Sequence, residues 1–214
     1  MTVDFDNIDT LGLISTQDMF RHCEKIRSIV ILRFDTRNVS DMRNMFRDCH
    51  LLKQVSLCDL NTKSVKNLSA TFKNCFELEE IDLSCLSTDS LTTTAYLFED
   101  CTKLRRVRLP ILGRDARINT IGMFSRCEGL RELDLSNMYK VVDPTLMFRR
   151  CSNLERLDIS NLDVKPAFYI LGTVGMNMFV NCKALKYVRP PEDAELRQVI
   201  LDQLKLDGIN CKLL

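Results

Sequence analysis

Phe-x-x-Cys recurs seven times along this chain, at Phe20–Cys23, Phe46–Cys49, Phe72–Cys75, Phe98–Cys101, Phe124–Cys127, Phe148–Cys151 and Phe179–Cys182. Successive cysteines of this ladder are 26, 26, 26, 26, 24 and 31 residues apart. Self-similarity at a fixed period of this length is the signature of stacked repeats. A unit so short cannot bury its apolar side alone, so neighbours must stack on it.

After each ladder cysteine comes the same apolar beat, as in Leu52, Val55 and Leu57, then Leu78, Ile81 and Leu83, then Leu104, Val107 and Leu109. Leu130, Leu133 and Leu135 continue it, followed by Leu154, Leu157 and Ile159. Its final alternation has the period of a short strand with one buried face. Ahead of each Phe-x-x-Cys runs a second shared segment opening on Asp9-Thr10, Asp35-Thr36, Asn61-Thr62 or Ser87-Thr88, side chains that favour tight turns. Stacking seven such rungs at the strand spacing gives a solenoid about 30 Å long. The expected fold is a repeat solenoid of the leucine-rich-repeat type. It has a parallel β-sheet on one face, short helical or irregular segments on the other, seven rungs and a C-terminal helical cap.

At Leu130-Arg131-Glu132-Leu133-Asp134-Leu135-Ser136-Asn137 and Leu154-Glu155-Arg156-Leu157-Asp158-Ile159-Ser160-Asn161 the sequence resembles the BspA-like leucine-rich repeat family. Its repeat runs roughly Met-Phe-x-x-Cys-x-x-Leu-x-x-Leu-Asp-Leu-Ser-Asn, and one branch occurs in mycoplasma lipoproteins and many bacterial surface proteins. The resemblance covers about residues 8–191. It implies binding and adhesion, with no common enzymatic activity. Export or anchor segments, found in surface members, are not expected from this sequence.

The expected division is an N-terminal cap at 1–7, a repeat solenoid at 8–191 and a C-terminal helical cap at 192–214. Leu196, Val199, Ile200 and Leu204 form one helical stripe over 192–206, with Glu192 and Asp193 at its start and Gly208 past its end. Ile209 and Leu213-Leu214 are expected to help cover the last rung, and Phe5, Ile8 and Leu11 to cover the first.

Composition narrows the function. With 45% hydrophobic residues and 30 Lys+Arg against 29 Asp+Glu, formal charge +1, the chain is neither disordered nor a polybasic nucleic-acid binder. No run of about 18 apolar residues suits a bilayer, and Asp4, Asp6 and Asp9 stand where a signal peptide would be basic and then apolar. The expectation is a cytoplasmic protein whose 10 cysteines stay free.

A linear thiol ladder does not converge on a point as tetrahedral zinc demands, so those cysteines are expected to act as small buried hydrophobes. His22-Cys23 and Cys49-His50 flank each other on adjacent rungs but lie on opposite sides of their cysteines, and no metal or cofactor is expected. Cys58, Cys85 and Cys211 are off the ladder, with Cys58 and Cys85 at or near the rim. With His22 and His50 the only histidines, neither of those rungs has a base for a catalytic thiol. Phosphate-cradling glycine motifs are missing as well, so neither an enzyme nor a small-molecule substrate is expected.

What remains is the solvent face of the sheet. One exposed column runs Val30, Ser56, Asp82, Arg108, Asp134, Asp158, Arg189, and a second runs Ser28, Gln54, Glu80, Arg106, Glu132, Arg156, Tyr187. Glu80, Arg106, Glu132 and Arg156 are expected to alternate in charge along the stack, which keeps an open face soluble and free of like-charge repulsion. Because Arg and Tyr are favoured interface anchors, Arg105, Arg106, Arg108, Arg156 and Tyr187 are the candidate partner-binding residues. Phe168 and Tyr169, in the insertion over 163–175, are a second candidate contact. The function expected is a non-catalytic scaffold or inhibitor binding another protein through the sheet face. A surface adhesin is one alternative. Another is nucleic-acid binding through Arg105, Arg106, Arg108, Arg114 and Arg117, which Glu80, Asp82, Glu132 and Asp134 should blunt.

Overall fold

The structure is a computed structural model that describes residues 2–4, 8–164 and 177–214. Its sheet side is a succession of short strands: β1 (Thr2–Asp4), β2 (Ser28–Leu32), β3 (Gln54–Val55), β4 (Glu80–Asp82), β5 (Arg106–Arg108), β7 (Glu132–Asp134), β9 (Arg156–Asp158), β11 (Tyr187–Arg189) and β12 (Lys212–Leu213). Pairing is parallel and groups them as β1-β2-β3, β4-β5 and β7-β9-β11-β12. Side chains alternate as the sequence pattern predicts, with Ile29 and Ile31 buried between exposed Ser28, Val30 and Leu32. A second set, β6 (Ile118–Asn119), β8 (Lys140–Asp143) and β10 (Asp163–Val164), lies where the chain enters the Phe-x-x-Cys segment. It continues a column of isolated parallel bridges through Ser15, Asp41, Asn67, Thr93 and Asn119.

The interior is columnar. Phe20, Phe46, Phe72, Phe98, Phe124, Phe148 and Phe179 stack ring on ring, centroids 5.3–6.2 Å apart and planes within 18°. Beside them each ladder thiol from Cys49 onward donates to the carbonyl of the preceding rung's phenylalanine at 2.9–3.2 Å. Burial pushes the Cys49 and Cys182 thiols up to about 12. It also raises those of Cys75, Cys101, Cys127 and Cys151. These sulfurs stay protonated and unreactive.

Where short helices were an open expectation, the Met-Phe-x-x-Cys segments form ribbons of overlapping turns. In one of them Met45, Arg47 and Cys49 N–H groups bond back to Met42, Asn44 and Phe46 carbonyls. The intervening N–H groups of Met42, Asn44, Phe46 and Asp48 all donate forward, to Asn67, Ser69, Thr71 and Lys73 of the next rung. Such turns need positive φ at two positions per rung, filled by Asp18 and His22, Asn44 and Asp48, Ala70 and Asn74, Tyr96 and Asp100, Gly122 and Arg126, and Leu146 and Arg150. Asn and Asp tolerate this region; Tyr96 is held there with its N–H on the Ile121 carbonyl of the next rung at 2.7 Å. Gly122 answers to a contact too, since a Cβ there would lie 2.6 Å from the Tyr96 ring.

Three expectations at the ends and rim are corrected. Thr2–Asp4 meets the first rung as a strand in register with Val30–Leu32, Val3 packing against the core, but Ile8 and Leu11, expected to help cover that rung, stay 58% and 52% exposed. Phe5 lies outside the described residues. At the other end the helix, α1 (Ala194–Leu206), starts two residues later than expected because Asp193 is its N-cap, accepting from Leu196 N–H at 2.7 Å. Leu196, Ile200 and Leu204 are buried as expected, joined by Gln203, and Val199 packs at their edge. Ile209 packs against the core, and Leu213 meets the last rung by strand pairing, β12 adding to β11 with Leu213 beside Val188, while Leu213 and Leu214 themselves stay largely exposed. Finally, Cys58 and Cys85 are not free thiols. They form a disulfide, with Cα atoms 5.4 Å apart, because the ends of β3 and β4 bring two exposed cysteines of adjacent rungs face to face.

Candidate functional site

On the sheet face the two exposed columns fall in register as expected, with Glu80 beside Arg106, Asp82 beside Arg108 and Glu132 beside Arg156. Arg106 and Arg108 turn back toward the preceding strand, Nη1 lying 3.3 Å from Glu80 and 3.5 Å from Asp82. Arg189 Nη1 lies 3.5 Å from Asp158, and Lys186 Nζ 2.9 Å from Glu155. The Arg156 guanidinium sits 4.5 Å over the Tyr187 ring, an arginine–aromatic pair of the kind found in interface cores.

The expected unbroken alternation Glu80, Arg106, Glu132, Arg156 is corrected. It holds within β4-β5 and within β7-β9, but β5 and β7 belong to different sheets. Across that joint the Asn137 amide takes up the Leu109 and Pro110 carbonyls, at 2.8 and 3.0 Å, in place of strand pairing. The other column departs from alternation further on, where Asp134 and Asp158 are register partners. Both carboxylates have a local task, each accepting the N–H two residues ahead, from Ser136 and Ser160 at 2.8 and 2.9 Å. Asp82 does the same with Ser84. The hydroxyl and N–H of Ser84, with Arg108 beyond them, hold the Asp82 carboxyl below its ordinary value. In Leu-Asp-Leu-Ser, therefore, the Asp shapes the turn as well as charging the face.

Two adjoining depressions mark this face. One of about 600 Å³ is lined by Glu132, Asp134, Arg156, Asp158, Arg189 and Leu214. Its neighbour, about 370 Å³, is lined by Arg105, Arg106, Arg108, Arg131, Glu132 and Asp134. Because they share Glu132 to Asp134, they form one trough along the stack. The candidates Arg105, Arg106, Arg108 and Arg156 line it, and Tyr187 adjoins it through Arg156. Phe168 and Tyr169 lie outside the described residues. Leu214 was missed: only the pairing of β12 beside β11 brings it to the trough, and no repeat signal announces that strand.

Arg117 leaves the five-arginine cluster. Its guanidinium holds the Asp163 carboxylate at 3.0 and 3.1 Å and the Val141 and Asp163 carbonyls at 3.2 and 3.0 Å, knitting β6, β8 and β10 together. The histidines are engaged separately: His22 Nδ1 lies 3.5 Å from Asp48, while His50 stacks on Phe76 at 4.8 Å. Among the described residues no group of three or more His, Cys, Asp or Glu is placed to hold a metal ion. Nor is any described helix long and apolar enough to cross a membrane.

This geometry, one strand and one Phe/Cys ribbon per rung, agrees with the family models that match the chain. The model described as BspA type leucine rich repeat region matches residues 69–198 in 6 copies. The chain belongs to the BspA-type leucine-rich repeat family. Residues 4–108 also match the model described as Mycoplasma protein of unknown function. An internalin (inlF) from Listeria monocytogenes is similar at 15% identity and TM-score 0.39, over 89% of this chain and 55% of that one. The chain thus spans about half the length of that protein. No curated protein matches the chain.

Proposed function

We propose that this BspA-type repeat protein is a non-catalytic scaffold that binds another protein along the trough of its sheet face. The observation that carries this reading is the trough itself. It is open and elongated, and combines the Arg156–Tyr187 pair, apolar Leu214 and charges of both signs. Such a surface suits an extended polypeptide segment. A basic side chain of the partner would meet Glu132 and Asp134, and an apolar one would rest on Leu214. Arg106 and Arg108, already facing Glu80 and Asp82, would orient the partner through the field they share with those acids, and inhibition of the partner would follow from covering it.

The test compares the wild type with an R105E/E132K/Y187A variant of matched melting temperature in pull-downs, identifying bound protein and nucleic acid. Retention of a protein by the wild type and its loss from the variant supports the trough; equal retention by both refutes it. Nucleic acid bound with steep salt dependence would favour the arginine reading instead.

A second reading, an exported and surface-facing binding module, draws support from the Cys58–Cys85 bond, because exposed cysteine pairs persist as disulfides mainly in oxidising compartments. Cytoplasmic residence, the expectation from the sequence, requires that bond to be reduced or regulated. Cell fractionation with thiol trapping separates the two locations.

A further inference from the structure

Inter-turn links on the sheet side follow a rule that the two rim cysteines obey in covalent form. Asn161 Nδ2 donates to the Ser136 carbonyl of the rung before at 2.6 Å, and Asn137 Nδ2 to Leu109 and Pro110 of the rung before at 2.8 and 3.0 Å. Both asparagines stand two residues past the last buried strand position, Ile159 and Leu135. Cys85 stands at that same place, two residues past Leu83, and Cys58 occupies the site of Ser136, one residue past Leu57. The disulfide therefore replaces the repeat's asparagine-to-carbonyl link with a bond that a reductant can break.

It does so at a joint whose strands do not pair. The rung before is paired through Ser28–Gln54 and Ile29–Val55, and the rung after through Glu80–Arg106, Ile81–Val107 and Asp82–Arg108. Between β3 and β4 no strand pairing exists among the described residues. On the opposite side the same joint keeps its forward bonds from Met42, Asn44, Phe46 and Asp48 at 2.9–3.0 Å, and the Phe46–Phe72 ring contact at 5.6 Å. Around the strands the joint is held by the Glu77 N–H on the His50 carbonyl at 3.2 Å and the His50–Phe76 stack ahead of them, and by the Thr62 hydroxyl with the Ser87 backbone past them. Between these flanking contacts the disulfide is the covalent tie that stands where strand pairing is missing.

We propose that Cys58–Cys85 is a thiol–disulfide exchange site, and that its reduction loosens the sheet side of the joint between the third and fourth strands. The co-reactant is a dithiol protein of the Cys-x-x-Cys class. Its thiolate attacks one sulfur of the bridge, forming a mixed disulfide and expelling the other cysteine as a thiolate that takes a proton. Its second thiol then resolves the mixed disulfide. This leaves two thiols here and one disulfide on the reductant, a transfer of two electrons and two protons. The ladder thiols from Cys49 to Cys182 take no part, since each is buried and donates to a carbonyl. The proposal does not depend on what the trough binds.

The test is amide hydrogen exchange and thiol labelling of the full chain, with and without a dithiol reductant. Cys58 and Cys85 should take up iodoacetamide only after reduction. Exchange over 52–60 and 78–88 should then rise about tenfold or more, with 130–160 unchanged. A C58S/C85N variant, which restores the asparagine of the other rungs, should exchange slowly at this joint whether or not reductant is present. Labelling of both cysteines in oxidised protein, unchanged exchange after reduction, or a C58S/C85N variant that still responds to reductant would each overturn the proposal.

Discussion

The ribbon side and the sheet side of the solenoid are built by different rules. Along the ribbons almost every rung repeats the same forward hydrogen bonds, the same phenylalanine ring and the same thiol-to-carbonyl bond. Along the sheet, pairing is broken into three groups, and the joints between rungs are closed by strand bonds, an asparagine amide or a disulfide. The difference teaches where the repeat is free to vary. Backbone groups that must find a partner inside a dry stack hold the ribbon sequence to a pattern, whereas a face open to water accepts Val30, Ser56, Asp82 or Arg108 in equivalent places.

The largest test of that contrast is Phe98→Ala. Phe98 is fully buried and stacks on Phe72 at 5.7 Å and on Phe124 at 5.6 Å, so its removal opens a cavity the rungs cannot close without losing their forward bonds. A loss of about 3–5 kcal/mol is expected in denaturant unfolding. A loss under about 1 kcal/mol would mean that the ring column is not what sets the stack.

A smaller effect is expected where charge is drawn into the ribbon. Asp48 is mostly buried; burial alone would raise its carboxyl, but the Asn74 amide and then Arg47, His22 and Arg21 outweigh it and hold the carboxyl below its ordinary value of 3.8. A carboxyl depressed in the folded state stabilises above its unfolded value, and that contribution is lost as pH falls through the folded value. Asp48→Asn should therefore cost on the order of 1 kcal/mol near neutrality. Its stability should converge with that of the wild type below pH 3.8, as the wild type loses the same charge. Parallel curves for the two proteins from neutrality down into acid would deny Asp48 this role.

The same contrast explains what the sequence made legible. The Phe/Cys ladder, the strand positions and the C-terminal helix were all visible, because each is dictated by local pattern: period, apolar alternation, and for the helix an apolar stripe, though Asp193, its N-cap, was placed in the first turn. The side-chain turns at Ser15, Asp41, Asn67, Thr93, Asn119 and Asp143 went unnoticed although their spacing announces them. Each accepts from, or stands where it can accept from, the N–H two residues on, as Asp41 does from Arg43 at 3.0 Å. The disulfide was hidden because pairing Cys58 with Cys85 requires knowing that a residue one past a strand meets a residue two past the next. Of the site, the exposed columns were legible from alternation alone. The trough was not, since Leu214 reaches it through a strand outside the repeat, and the break between β5 and β7 leaves no mark in the apolar pattern.

The smallest expected effect lies on the face itself. Arg108 lies 3.5 Å from Asp82, but their side chains are 80% and 47% exposed, so water screens the pair and holding a long arginine in one geometry offsets part of what it gains. Asp82 keeps its turn bond to Ser84 N–H without it. Arg108→Ala should therefore change unfolding free energy by less than about 0.5 kcal/mol. A change of several kcal/mol would show that the sheet face carries the stack as the ribbon does, and its variable charges would then be structural. If stability is unchanged while a partner's dissociation rate rises, the arginine acts outward from the fold, toward whatever lies in the trough.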